Sequence, residues 1–138
     1  MKDIHEPLRT LFYSLIVGKG IICYEAGAVP DNAATPYIII ADMQGGEDSN
    51  KTSFGNRVQT LFDVVTSFEK NKIGGSKMVD VLAGSLLDVI NSKVTFPMFN
   101  GLQIVTTKIL QDQKINGKSD TNRIYRRLIR VQQLIMEV

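Results

Sequence analysis

Tryptophan is missing from this sequence, and cysteine and histidine occur once each. No run of apolar residues approaches the roughly 20 needed to cross a bilayer as a helix. With Cys23 alone no internal disulfide can form, and nothing in the cysteine usage points to an oxidising compartment. The thiol sits in the apolar stretch Ile21-Ile22-Cys23-Tyr24, where a free cysteine is ordinarily an inert core residue. His5 falls in the first turn of a terminal helix without a second histidine, a cysteine or a carboxylate cluster beside it. A metal site there lacks ligands and a catalytic pair lacks its third group, so His5 reads as a solvated surface residue. The N-terminal residues lack the apolar core and small-residue cleavage site of a secretory signal, and the expectation is a protein made and folded in a cytoplasm, with no membrane partner.

What is present suffices for one domain spanning 1–138, able to bury roughly two-thirds of the surface its unfolded chain exposes. A net charge of +2 is too small to imply nucleic acid or membrane binding by itself.

The spacing of Leu8, Leu11, Phe12, Leu15 and Ile16 predicts an amphipathic helix over 5–17, with Asp3 as its N-cap, Pro7 in its first turn, and Gly18 and Gly20 ending it. A short apolar strand follows at 21–24, then a loop from Ala26 to Thr35. Pro36 opens a β-branched strand, Tyr37 to Asp42. The run Gln44 to Ser53 is glycine-rich and polar and reads as a mobile loop. From Phe54 to Phe68 the period is two: Val58, Thr60, Phe62, Val64, Thr66 and Phe68 share one face, while Arg57, Gln59, Asp63 and Ser67 share the other with Leu61 and Val65. Ser76 could cap a second helix over 77–91, whose apolar face runs through Met78, Val79, Leu82, Leu86, Val89 and Ile90. A strand at 102–115 leads to Asn116-Gly117, the strongest hairpin signal in the chain. The final segment fits both a strand and a helical face; the Asn-Gly pair before it favours a strand returning beside 102–115.

This order predicts an α+β fold: an antiparallel or mixed sheet of about four to five strands with two α-helices packed on one face. Long strands such as 54–68 and 119–135 could project beyond the helices and recruit a neighbouring chain.

The inventory for catalysis is poor. Gly45-Gly46 and Gly74-Gly75 lack the pattern of a phosphate-cradling loop, and Asp80 and Asp88 read as part of one solvated helix face. No catalytic, cofactor-binding or metal-ligating residue emerges, and the expectation is a protein that is not an enzyme. One cluster carries weight: Arg123, Arg126, Arg127 and Arg130 crowd the final strand, with Lys108, Lys114 and Lys118 on its expected partner. It could keep an exposed sheet face soluble, pair with carboxylates of another subunit, or skirt nucleic-acid phosphates. Tyr125 is the only aromatic among these residues, fewer than a stacking nucleic-acid surface uses.

In this order the elements resemble the tail-completion, or tail terminator, proteins of long-tailed bacteriophages. The resemblance is carried by the helix Leu8 to Val17, the strand Ile22-Cys23-Tyr24, the loop Ala28-Val29-Pro30 and the strand Pro36-Tyr37-Ile38-Ile39. It continues through Phe62-Asp63-Val64-Val65-Thr66-Ser67, the helix 77–91 and a closing strand pair. The connection around Phe96-Pro97-Met98-Phe99 and the arginine-rich last strand depart from the family. The resemblance implies a virion subunit without catalytic residues or cofactor, forming a ring, usually a hexamer with a dodecamer possible, at the head-proximal end of a tail. Its partners would be copies of itself, tail tube protein and head–tail connector proteins, with DNA passing through without sequence-specific contact. A connector or neck ring, or a small cytoplasmic nucleic-acid-binding module, are the rival readings. The expected subunit contacts are Gln44, Glu47, Asp48, Lys51, Phe54, Arg57, Arg123, Arg126, Arg127 and Arg130, with strand edges around 54–60 and 119–127.

Overall fold

The computed structural model describes residues 3–31, 33–49, 54–69, 75–90, 101–118 and 122–137. Helix α1 spans His5–Gly18. The cap position falls on Ile4 and not on Asp3, and it has no side-chain cap; Asp3, one residue earlier, accepts the His5 N–H at 3.2 Å. At the other end Gly20 takes φ +79°, while its N–H reaches the Val17 carbonyl at 2.9 Å and the Ile21 N–H reaches the Ile16 carbonyl at 3.4 Å. This is the left-handed closure that glycine alone adopts without strain. Helix α2 spans Lys77–Ile90 and buries Val79, Leu82, Ala83, Leu86, Val89 and Ile90.

Strands β1 (Cys23–Glu25), β2 (Tyr37–Glu47), β3 (Gly55–Glu69), β4 (Leu102–Lys118) and β5 (Asn122–Glu137) form one sheet in the order β1-β2-β3-β5-β4. β1 runs parallel to β2 and every other pair is antiparallel, so the sheet is mixed. The final segment is a strand, and the fold is the expected α+β arrangement.

Register decides which residues share a face. Ile38 lies opposite Val64, Ile40 opposite Phe62, and Gly45 opposite Val58; across β3, Phe62 lies opposite Ile129 and Thr60 opposite Val131. These residues form the helix side of the sheet. Phe12 of α1 meets Phe62 edge to face, ring centroids 5.1 Å apart, and both are buried with Leu8, Ile16, Leu86 and Ile129. Each such side chain contributes roughly 1.5–3 kcal/mol on burial. A Cβ added to Gly45 would lie 3.4 Å from His5 Nε2 and 3.6 Å from Ile4 Cδ1, ordinary contact distances that place the start of α1 over this part of β2.

Four expectations change. First, β2 does not stop at Asp42: Gln44 to Glu47 continue the strand, paired with Gln59 to Asn56. Glycine is a poor strand former in isolation, but the long β3 supplies a partner for each residue. Second, Asn116-Gly117 is not the turn. Asn116 pairs with Tyr125 and Gly117 with Ile124, so the reversal falls between Lys118 and Asn122, outside the described residues. The register that places Ile129, Val131 and Ile135 under the helices outweighs the local preference of the dipeptide. Third, β4 does not alternate evenly, because its register skips at Val105 and Leu110. Each such bulge inserts one residue and flips the parity of those beyond it. Fourth, β1 occupies Cys23–Glu25, two residues later than expected, where it pairs with Ile38 to Ile40.

Candidate assembly surface

The arginines that sit together in the sequence do not form one patch. Alternation along β5 sends Arg127 to the helix side and Arg126 and Arg130 to the opposite, open face, opposite Val65 and Leu61 of β3. Arg123 shares the parity of Arg127 and is half-buried.

On the helix side Arg127 donates to both oxygens of Asp112, at 2.7 and 2.5 Å, and reaches Asp80 of α2 at 3.3 Å. Asp80 also receives Lys114 Nζ at 2.9 Å. Lys114 and Arg127 are register partners, so two like charges stand directly opposite one another. Alone they would repel; the two aspartates between them turn the pair into a clamp that ties α2 to the β4–β5 hairpin. The Asp112 carboxyl is held below its ordinary value, chiefly by the Arg127 hydrogen bonds. Asp80 is therefore an ion-pair residue rather than part of a solvated face.

On the open face Asp63 has only 9% of its surface exposed. Its Oδ2 lies 3.3 Å from an Arg126 guanidinium nitrogen, and its Oδ1 is buried without a hydrogen-bond partner among the described residues. Burial pushes the carboxyl up, and the Arg126 charge pulls it partly back. Around it lie Ile39, Leu61, Val65 and Leu128, so this face is part apolar and part basic.

The expected contact residues near the β2–β3 hairpin do come together. Arg57 donates two hydrogen bonds to Asp48, at 2.9 and 2.5 Å. Gln44 donates to Asp42 at 2.9 Å and Glu47 accepts from Ser49 at 3.0 Å. Phe54 stands half exposed at the start of β3, its carbonyl accepting the Glu137 N–H at 2.9 Å. A Cβ on Gly55 would lie 2.6 Å from the Asp48 carbonyl oxygen, which makes this hairpin end a glycine position. Lys51 lies outside the described residues.

Backbone edges are placed differently from expectation. β3 is bracketed by β2 and β5 from Asn56 to Val65, and β5 by β3 and β4 along its length. Strands inside a sheet have no free hydrogen-bonding edge, so 54–60 and 122–127 can offer side chains only. Among the described residues the open edges belong to β4 and to the short β1, whose outer sides face no strand, and to β2 from Ala41 to Glu47, beyond the end of β1. Beside that stretch of β2 lies an open groove of about 460 Å³, lined by Asp3, His5, Glu6, Arg9, Glu25, Ala26 and Ile40 to Met43. Arg9 pairs with Glu25 at 2.7 Å; Asp3, Glu6 and Asp42 form no ion pair among the described residues, Glu6 accepting from Thr10 and Asp42 from Gln44. The sequence reading missed these edges. No residue pattern reveals which strand ends up outermost, although the bulk of β4's exposed positions could be seen as its weak polarity.

Burial is the first cause that raises the Cys23 thiol to about 11, with the nearby Glu25 adding to it, so the thiolate that reactivity requires is scarce at neutral pH. Among the described residues no group of three or more His, Cys, Asp or Glu side chains stands close enough to hold a metal ion, and no helix is long and apolar enough to cross a membrane.

No protein-family model and no curated protein sequence matches this chain significantly. Its fold is similar to that of a chain in the virion of a native gene transfer agent particle, with a TM-score of 0.68 over 96% of this chain and 98% of that one at 16% sequence identity. At this identity the likeness establishes a shared fold over nearly the full length of both chains.

Proposed function

We propose that this chain is a structural virion subunit that assembles with copies of itself into a ring at the head-proximal end of a phage-type tail. The ring ends tube assembly and joins the tail to the head connector. The observation that carries the reading is the full-length likeness of fold to a chain of a gene transfer agent virion. The order of elements quoted above supports the tail-completion reading, and the two open sheet edges supply surface for contacts between copies. The subunit works by contact alone, without catalysis or cofactor, and DNA passes the ring without sequence-specific recognition. A hexamer is the expected assembly.

Electron microscopy and mass photometry of the purified protein, with and without tail tube protein, test this. Rings, and tubes capped at one end, are the expected result. Monomer alone at micromolar concentration in the presence of tube protein overturns it. Binding to a portal ring in place of the tube assigns the chain to the connector instead.

A further inference from the structure

Among the described residues the sheet is open at both of its ends, and the two ends differ in charge. At one end the groove between the start of α1 and the free edge of β2 carries Asp3, Glu6, Glu25 and Asp42 against the single guanidinium of Arg9. At the other end, among the described residues, β4 is unpaired on its outer side, and Lys108, exposed near its centre, has no carboxylate partner. Arg130, on the adjoining strand, likewise has none, while Asp112 of β4 is already held by Arg127. The β4 edge also exposes apolar side chains: Val105, Leu110 and Ile115 are 46%, 39% and 40% exposed. Val105 and Leu110 are the inserted residues of the two bulges. Bulges on an edge strand discourage indiscriminate pairing with any passing strand. A partner for this edge must therefore match its side chains as well as its backbone.

We propose that the β4 edge of one copy docks along the acidic groove at the β1–β2 edge of the next, so that the sheets of neighbouring subunits follow one another head to tail. The occupant of each edge is a second copy of this chain, chosen by charge complementarity between surfaces that one molecule carries at opposite ends of a single sheet. A molecule with complementary surfaces at opposite ends cannot satisfy both in a two-fold dimer. Its contact is heterologous and closes only as a ring, or fails to close and grows as a filament. The inference rests on the ring reading above and adds which surfaces meet.

Two charge-reversed proteins test it: Lys108→Glu, which alters only the β4 edge, and Glu6→Lys with Asp42→Lys, which alters only the groove. All three positions are at the surface, and circular dichroism checks that each variant folds as wild type. Mass photometry over a concentration series should show the midpoint of assembly raised by on the order of tenfold or more for each variant alone, because like charges then face each other. An equimolar mixture should assemble near the wild-type midpoint, since every interface in an alternating ring again joins opposite charges. If wild type forms rings and both variants do so at the same midpoint, the edges are not the contact and the proposal falls while the ring reading stands. Variants that form normal rings but no longer cap tubes would show that these edges meet tube protein, which also overturns it. Wild-type protein that never assembles removes both readings together.

Discussion

Asp63 and Arg126 show how one residue's position changes the meaning of another. Asp63 occurs in the polar half of an alternating strand, where a solvated carboxylate is the natural expectation, yet it is buried and one of its oxygens lacks a partner among the described residues. Burial raises its pKa above 3.8, with Arg126 opposing the shift. A carboxyl raised in the folded state gives its full stability below 3.8 and loses it as pH rises through the folded value. Arg126 offsets that loss by neutralising the charge that appears. Arg126→Gln should therefore destabilise the protein at pH 7 by about 1 kcal/mol, a figure held low by the solvent exposure of the arginine. The deficit should shrink as pH falls through the raised folded value of Asp63 and its carboxylate protonates. Urea titrations above and below that value check this, and an equal deficit at each would show that Arg126 acts through packing alone. The alternation of 54–68 was legible and put Asp63 on the correct face. Its burial was not, because side-chain crowding on a sheet depends on strands far away in sequence.

At the scale of elements, the clamp of Asp80, Arg127, Asp112 and Lys114 joins a helix to a hairpin whose parts lie dozens of residues apart. Asp112 is lowered in the folded state, chiefly by Arg127. Its contribution is complete above 3.8 and disappears as pH falls through the lower folded value, the opposite sense to Asp63. Asp112→Asn should lower the melting temperature at pH 7, equivalent to roughly 1 kcal/mol, and the gap to wild type should close in acid as the wild-type carboxylate protonates. Thermal melts followed by circular dichroism at both pH values would reveal it. A gap that persists undiminished in acid rules out the ion pair as its source. The helices themselves were readable from their apolar stripes, since Leu8, Phe12 and Ile16, or Leu82, Leu86 and Val89, recur at helical spacing. The clamp was hidden because it joins α2, β4 and β5, segments that no local period relates; the bulges at Val105 and Leu110 cancel, so Asp112 and Lys114 keep the face that even alternation from Leu102 gives them.

At the scale of the whole molecule, the layers formed by the described residues leave both ends of the sheet uncovered. A subunit that gains contacts from its neighbours is stabilised by mass action, since assembly binds only the folded form. In the concentration range where rings form, a tenfold rise in protein should raise the melting temperature by roughly 3 °C per interface formed. Differential scanning fluorimetry across that range reads it directly. A melting temperature independent of concentration, in samples that mass photometry shows to be assembled, would mean that the interfaces contribute nothing to fold stability. Neither the open β4 edge nor the acidic groove was visible in the sequence, because strand order in the sheet decides them. The hairpin β4–β5 puts its second strand inside, against β3, and leaves its first strand outermost.

Amino-acid order by itself determined the helices, the alternating faces of β3 and β5, the α+β class and the scarcity of groups suited to catalysis. These depend on side chains a few positions apart, whose geometry is set by local backbone periods of 3.6 and 2. Tertiary structure alone decided that β2 runs on to Glu47, that β4 is bulged, that the clustered arginines divide between two faces, and that an acidic groove lies at one edge of the sheet while the other exposes Lys108. Each of those depends on the pairing of segments distant in the chain, where burying a common core selects one register among many that local preference would allow.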